Sequence, residues 1–193
     1  MHVSLEGKVA LITGASKGIG RAMAASMAEA GAKVMMSSRK QDQLEEAAAT
    51  IDGETAVFAA NAGDVAAGEA CVQATLDRFG GLDILVNNAA TNPYYGPVLG
   101  VDEGRFDKTF QVNLRGPVFW SAVAHRLAFA ERPGVIINVA SVGGLRAEGA
   151  LGVYNLTKAA LIHLTRQLAV DYGPLGVRVL AICPGYVNNW MGH

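Results

Sequence analysis

Cysteine is scarce in this chain: two in 193 residues, Cys71 and Cys183, far apart and without histidine neighbours at metal-ligand spacing. That excludes a disulfide framework and reads as two buried free thiols. An excess of one charge is also missing, since 16 Lys plus Arg face 17 Asp plus Glu for a formal charge of -1. No electrostatic footprint for nucleic acid or an anionic membrane follows, so the expected partners are small molecules or protein. No stretch holds about 18 consecutive apolar residues. The N-terminus "MHVSLEGKVALITGAS" lacks the basic segment, apolar run and cleavage site of a secretory leader. The expected location is therefore cytoplasmic. Histidine offers no metal site: His2 and His193 are terminal, and His125 and His163 fall on separate predicted helices without acids at i+3 or i+4.

What is present is apolar and small: 51% hydrophobic and 17% charged residues, with 23 Gly. The length and composition predict one compact domain over residues 1–193. Short apolar runs at 8–13, 33–38, 55–59, 83–87, 134–140 and 177–182 read as strands. Segments of helical period lie between them, at about 41–51, 65–79, 103–130 and 153–172. Between the first two strands, Ile19, Ala22, Met23, Ser26, Met27 and Ala30 form a helical stripe that Gly31 ends. The β-α alternation and the continuous apolar strands predict an α/β fold, a doubly wound parallel sheet with helices on both faces.

"TGASKGIG" (13–20) stands where the first strand gives way to the first helix, with Gly14, Gly18 and Gly20 spaced G-x3-G-x-G. Glycines there permit a tight turn and close approach of a diphosphate, while the helix N-terminus offers unpaired N–H groups. A dinucleotide is the natural ligand, and the fold reads as Rossmann-like. A P-loop is excluded because G-x4-G-K-[ST] is absent. At the end of the second strand, "MMSSRK" carries Ser38, Arg39 and Lys40 where an acid would bind a ribose 2′-OH. Arg39, with Lys17 in the glycine turn, favours NADP(H) over NAD(H).

"GVYNLTKAAL" places Tyr154 and Lys158 four residues apart, on one helix face. A neighbouring ammonium favours phenolate, so Lys158 is expected to lower the pKa of Tyr154. Tyr154 could then exchange a proton with a substrate oxygen, and Ser141, at the end of "GVIINVAS", could polarise the same oxygen. A Tyr-Lys pair by itself is ordinary surface packing. Its meaning comes from the glycine turn and the serine. A serine hydrolase is excluded, since Val139 occupies the first glycine position of G-x-S-x-G around Ser141.

Taken together, these motifs resemble the short-chain dehydrogenase/reductase family from Lys8 to Gly185. "TGASKGIG" matches its cofactor turn, "NNAA" (87–90) its segment after the fourth strand, "QVNL" its asparagine at Asn113, "VAS" its serine at Ser141, "YNLTK" its Tyr154 and Lys158, and "CPG" its turn at Pro184 and Gly185. The resemblance implies catalysis by Asn113, Ser141, Tyr154 and Lys158. Tyrosine is the acid or base, lysine tunes it and holds the nicotinamide ribose, serine orients the carbonyl, and asparagine supports a water in the proton relay. Cofactor contacts are implied at Gly14, Ser16, Lys17, Gly18, Ile19, Gly20, Ser38, Arg39, Asn61, Asn88, Ala89, Tyr154, Lys158, Pro184 and Gly185. The activity implied is NADP(H)-dependent interconversion of a carbonyl, 3-oxoacyl thioesters among them, and an alcohol. Two departures stand out. Ala90 replaces a usual glycine, tolerated if its φ is negative, and Asn61 replaces a usual aspartate at the adenine, where its amide oxygen can still accept a hydrogen bond.

Apolar residues over more than one face of 154–172, with the resemblance, imply a homodimer or homotetramer. Tyr94, Tyr95, Arg146 and Glu148 are candidates for the substrate mouth. The run 177–182 is apolar on both faces, like an interior strand, yet few residues follow it. The expectation is a missing last edge strand, a missing substrate lid and an unprotected edge at 177–182. The alternative to an active reductase is a catalytically silent or incomplete nucleotide-binding chain.

Overall fold

The alternation of strand and helix is realised in full in a computed structural model that describes residues 4–187. His2, His193 and the closing residues from 188 lie outside the described residues. In chain order the elements are β1 (Val9–Thr13), α1 (Gly18–Glu29), β2 (Lys33–Ser38), α2 (Gln41–Ala48), β3 (Thr55–Ala59), α3 (Val65–Phe79) and β4 (Ile84–Asn87). They continue as α4 (Glu103–Phe110), α5 (Gly116–Ala124), β5 (Gly134–Val139), α6 (Gly152–Tyr172) and β6 (Val177–Ile182). The six strands are all parallel in the order β3-β2-β1-β4-β5-β6. The chain winds outward from β1 to β3, then returns to β4 on the other side of β1. That reversal opens a crevice at the C-terminal ends of β1 and β4.

Alternating side chains divide the sheet between two cores. Leu11, Leu85, Ile136, Val177 and Val179 face α3, α5 and α6, where Trp120 and Phe129 fill the layer. Ala10, Ile12, Val34, Met36 and Val86 face α1 and α2. β6 is covered on the first side only: Val177 and Val179 are buried, while Leu180 is 49% exposed. Among the described residues it pairs with β5 alone, although its sequence is apolar on both faces like that of an interior strand.

α1 departs from the predicted stripe. Its buried residues are Gly20, Ala24 and Ala28, while Ala22 and Ser26 are exposed and Met23 and Met27 half-buried. Size decides this face. Small residues every fourth position let the helix axis approach the sheet, and the methionines pack at its flanks. Gly31 does end the helix as predicted, at a φ of 95°. α3 starts on Asp64, whose Oδ1 accepts from the N–H groups of Ala66 and Ala67.

The predicted helix over 103–130 is continuous but includes two π turns, Gln111–Arg115 and His125–Phe129. The first has a reason in the sequence. Pro117 has no N–H to give to the carbonyl of Asn113 four residues earlier, so regular α-helical bonding fails there.

Buried amides fasten the second half of the sheet. Asn87 and Asn138 face each other across β4 and β5. Asn87 Nδ2 donates to Asn138 Oδ1 at 2.9 Å and to Ser121 Oγ at 3.1 Å, and Asn138 Nδ2 donates to Thr165 Oγ1 on α6 at 2.9 Å. α6 is thereby fixed to β5 by polar groups shielded from water.

The small-residue face of α1 is directly testable. Ala24→Leu is expected to cost about 1–3 kcal/mol through overpacking, and Ala22→Leu on the exposed side less than about 0.5 kcal/mol. Urea denaturation of the two variants measures the difference, and equal costs would refute the assignment of the buried face.

Candidate active site

The first functional cluster is the crevice after β1 and β4. Thr13, the last residue of β1, accepts from the backbone N–H groups of Asn88 and Ala89 at 3.0 and 3.1 Å through Oγ1, which itself donates to Val86 O. Asn88 Nδ2 returns two bonds, to Thr13 O at 2.8 Å and Gly14 O at 3.1 Å. The two segments are so close that a side chain on Gly14 would meet Ala89 Cα at 2.9 Å, and one on Gly20 would collide with the Asn88 amide and Gly14 O. Gly14 also has a φ of 67°. These glycines are required by the protein's own backbone contacts before any ligand is considered.

Within this crevice is a cleft of about 370 Å³. Gly14, Ser16, Lys17, Ile19 and Gly20 line it from the glycine turn; Gly18, at a φ of 58°, shapes the turn without lining the cleft. Ser38 and Arg39 line it from the end of β2, Asn61 from the end of β3, and Asn88 and Ala89 from the end of β4. Among the described residues no Asp or Glu lines it, whereas Lys17, Arg39, Lys40 and Lys108 do. Ser38 Oγ is buried there without a hydrogen-bond partner. A cationic cleft with an orphaned hydroxyl at the end of β2 and a glycine cradle beneath fits a dinucleotide carrying phosphate.

Two expected cofactor residues have other work as well. The amide of Asn88 is spent bracing Thr13 and Gly14. Asn61 Oδ1 accepts from Gly63 N at 3.1 Å, which leaves one lone pair for a ligand. Ala90 is outside the positive-φ region, as its methyl requires.

Ser141, Tyr154, Lys158, Pro184 and Gly185 do not line that cleft. They lie after β5, on α6 and after β6, where Lys158 bonds to Val139 O, Tyr154 to Ser141 and Pro184 O to Val142 N; a side chain on Gly185 would meet Val142 Cγ1 at ordinary contact distance. Pro184 O accepts from Val142 N at 3.0 Å, seating the turn against the residue after Ser141. Ser141 Oγ accepts from Gly143 N at 3.1 Å, and Asn155 Oδ1 fills the space a Gly143 side chain would need. Gly143 N–H thus holds the serine hydroxyl on its acceptor side, and the same hydroxyl is hydrogen-bonded with Tyr154.

Lys158 is only 2% exposed, and its Nζ donates to Val139 O at 2.7 Å and lies 5.5 Å from the centroid of the Tyr154 ring. Burial lowers this ammonium to about 8, with Cys183 opposing the shift. Cys183 itself is half-buried and Cys71 buried, both as free thiols. Tyr154 corrects the expectation of a lowered phenol. Burial pushes its pKa above the ordinary tyrosine value, hydrogen bonding with Ser141 draws it partly back, and Tyr95 adds to the rise. The lysine lies over the ring face and bonds to a carbonyl, so desolvation of the phenolate wins.

Asn113 is fully buried and joins the two clusters. Its Oδ1 accepts from Thr91 N at 2.8 Å; its Nδ2 donates to Thr91 O at 2.9 Å and Thr157 Oγ1 at 3.1 Å. Thr157 Oγ1 in turn donates to Tyr154 O at 2.7 Å. The side chain is consumed in anchoring the Tyr154 turn of α6 to the cleft wall at Thr91. The main-chain carbonyl of Asn113 has no α-helical donor, because Pro117 carries no N–H.

The mouth is framed by the loops 91–100 and 142–151, joined where Gly96 N donates to Ala150 O at 3.0 Å. Tyr95 is 72% exposed on this rim, whereas Tyr94 turns inward to donate to Pro97 O. Arg146 and Glu148 pair with each other at 3.5 Å on the second loop. Sequence reasoning missed Thr13, Thr91, Thr157 and the Asn87–Asn138 pair, although Thr157 sits within the same helical turn as Tyr154 and Lys158.

Lys158 makes stability depend on pH. Its folded value of about 8 lies below the ordinary 10.5, so the unfolded chain binds more protons between those values and stability rises with pH across that window. Relative to Lys158→Met, the wild-type protein is expected to gain about 3 kcal/mol from pH 8 to 10.5, at about 1.4 kcal/mol per unit. Cys71, its thiol pushed up to about 12, works oppositely above pH 9 but is common to both proteins. Denaturant titrations at several pH values test this, and parallel profiles would refute it.

Comparison with known proteins agrees with this geometry. The chain is 44% identical to an uncharacterized oxidoreductase of Thermotoga maritima, across 95% of this chain and 73% of that protein. It is 39% identical to a sorbitol dehydrogenase of Cereibacter sphaeroides, across 97% and 74%. The crystal structure of a 3-ketoacyl-(acyl-carrier-protein) reductase from Brucella melitensis, complexed with NADH, superposes with a TM-score of 0.91 at 38% identity, covering 94% of this chain and 76% of that one. The short chain dehydrogenase family matches residues 8–193. The chain belongs to the short-chain dehydrogenase/reductase family of NAD(P)-dependent oxidoreductases.

Proposed function

We propose that this chain interconverts a ketone, with 3-oxoacyl thioesters in the class, and a secondary alcohol, using NADP(H). The observation that carries the reading is the meeting of a neutral phenol, a serine hydroxyl hydrogen-bonded with it and a buried ammonium at Tyr154, Ser141 and Lys158. When bound, the cofactor supplies or accepts the hydride. In the reductive direction, Tyr154, kept protonated by burial, donates its proton to the substrate oxygen. Ser141 Oγ donates a hydrogen bond to the same oxygen while Gly143 N–H holds it in place. Lys158, largely charged at neutral pH, stabilises the phenolate that remains. Reprotonation reaches Tyr154 through a water held at the Asn113 carbonyl.

The preference for NADP(H) rests on this chain's own residues, given that the Brucella reductase is complexed with NADH. Arg39 and Lys17 supply the charge for a 2′-phosphate, the orphaned Ser38 hydroxyl supplies a further donor, and no carboxylate in the cleft repels it. Gly14, Ser16, Gly18, Ile19 and Gly20 form the diphosphate turn, Asn61 and Ala89 the adenosine wall, and Pro184 and Gly185 the nicotinamide end. Assembly as a homodimer or homotetramer belongs to the same proposal, supported by apolar side chains left open on α6, with Val170 71% exposed, and by Phe106 and Phe119 on α4 and α5.

Tyr154→Phe is expected to lower ketone turnover by at least about 100-fold with NADPH affinity retained. Equal turnover would refute the mechanism, and wild-type NADPH binding without turnover of any ketone would identify a silent binder. Arg39→Asp is expected to weaken NADPH binding more than about tenfold beyond its effect on NADH. An unchanged ratio in equilibrium titrations would refute the cofactor assignment.

A further inference from the structure

Lys108 reaches the cofactor cleft from α4, whereas Lys17, Arg39 and Lys40 reach it from the turns after β1 and β2. It is half-buried, and among the described residues it forms no ion pair. One N–H of its ammonium donates to Gln111 Oε1 at 3.2 Å, which leaves two donors. Gln111 Nε2 donates to Gly63 O at 3.2 Å, Gly63 N donates to Asn61 Oδ1 at 3.1 Å, and Arg115 Nη1 also reaches Gly63 O, at 3.3 Å. An unbroken chain of hydrogen bonds therefore runs from Lys108 to Asn61, and both its ends line the cleft.

Between those polar ends the wall is Ala62, Ala90 and Val112, small apolar groups suited to the faces of a flat ring. The diphosphate turn lies after β1 and the orphaned Ser38 hydroxyl after β2, so the next position along the sheet, by β3, takes the base. We propose that Lys108 is a base-recognition residue whose ammonium donates to a ring nitrogen of the cofactor's adenine, with Gln111 positioning both Lys108 and the Asn61 loop. This rests on the placement of the dinucleotide given under Proposed function.

The test is equilibrium binding of NADPH, NADH and reduced nicotinamide mononucleotide, which lacks adenosine, to the intact chain and its Lys108→Ala, Lys108→Arg and Arg39→Asp variants. Lys108→Ala weakens NADPH and NADH by the same factor, about tenfold. It leaves the mononucleotide, the melting temperature and the oligomeric mass unchanged, and Lys108→Arg restores most of the affinity. Unchanged dinucleotide binding overturns the proposal, as does a loss confined to NADPH, which marks a phosphate contact. Equal weakening of the mononucleotide, or a changed mass, marks a structural role and also overturns it. If Arg39→Asp shifts the NADPH to NADH ratio while Lys108→Ala does nothing, Lys108 alone is wrong. If neither variant affects binding, the placement of the dinucleotide is wrong as well.

Discussion

The rest of the site depends on how closely the turn after β1 approaches the end of β4. Asn88 donates to Thr13 through both its backbone N–H and its side-chain amide, and Gly14 and Gly20 leave no room for a methyl between the two segments. This contact fixes the floor of the crevice that the strand order opens. The residues that give the glycine turn its shape are therefore held by the sheet itself. A ligand bound there would meet a cradle already formed, with little ordering left to oppose binding.

A second constraint sits under the catalytic helix. α6 is fixed to β5 through Thr165 and Asn138, and to the cleft wall through Thr157, Asn113 and Thr91. An unsatisfied buried amide would cost about 1–3 kcal/mol, so these networks tolerate few alternative positions of the helix. That rigidity is what permits Lys158 to be carried almost without solvent. Its ammonium is destabilised by burial, and the protein holds this unfavourable group over the face of the Tyr154 ring.

The sheet was legible in the sequence because its strands are short, mostly apolar runs set between helical segments; 33–38, 55–59 and 177–182 form strands at the residues read, although β6 is buried on one face only. α1 was legible as a helix but not in its orientation, since hydrophobic periodicity ranks Met23 above Gly20, while close packing against a sheet selects for smallness. In the site, the motif residues gathered at two neighbouring ends of the sheet. What the sequence hid was competition for each group. Charge proximity alone predicted a lowered Tyr154, but how deeply the ring is buried is a property of the assembled fold, and it dominates. The engagement of the Asn113 amide by Thr91 and Thr157 likewise arises between residues 22 and 44 positions away, beyond any local pattern.

Pro117 gives the two polar ends of Asn113 separate genetic addresses. The side-chain amide ties the helix bearing Tyr154 to the cleft wall and is removed by substitution at position 113. The main-chain carbonyl survives every such substitution, because its release from α-helical bonding is encoded four residues downstream, in a ring that has no hydrogen to give. A variant of Asn113 consequently reports on how the helix is docked. The hydrogen bonding of that carbonyl is set by a residue outside the cleft lining.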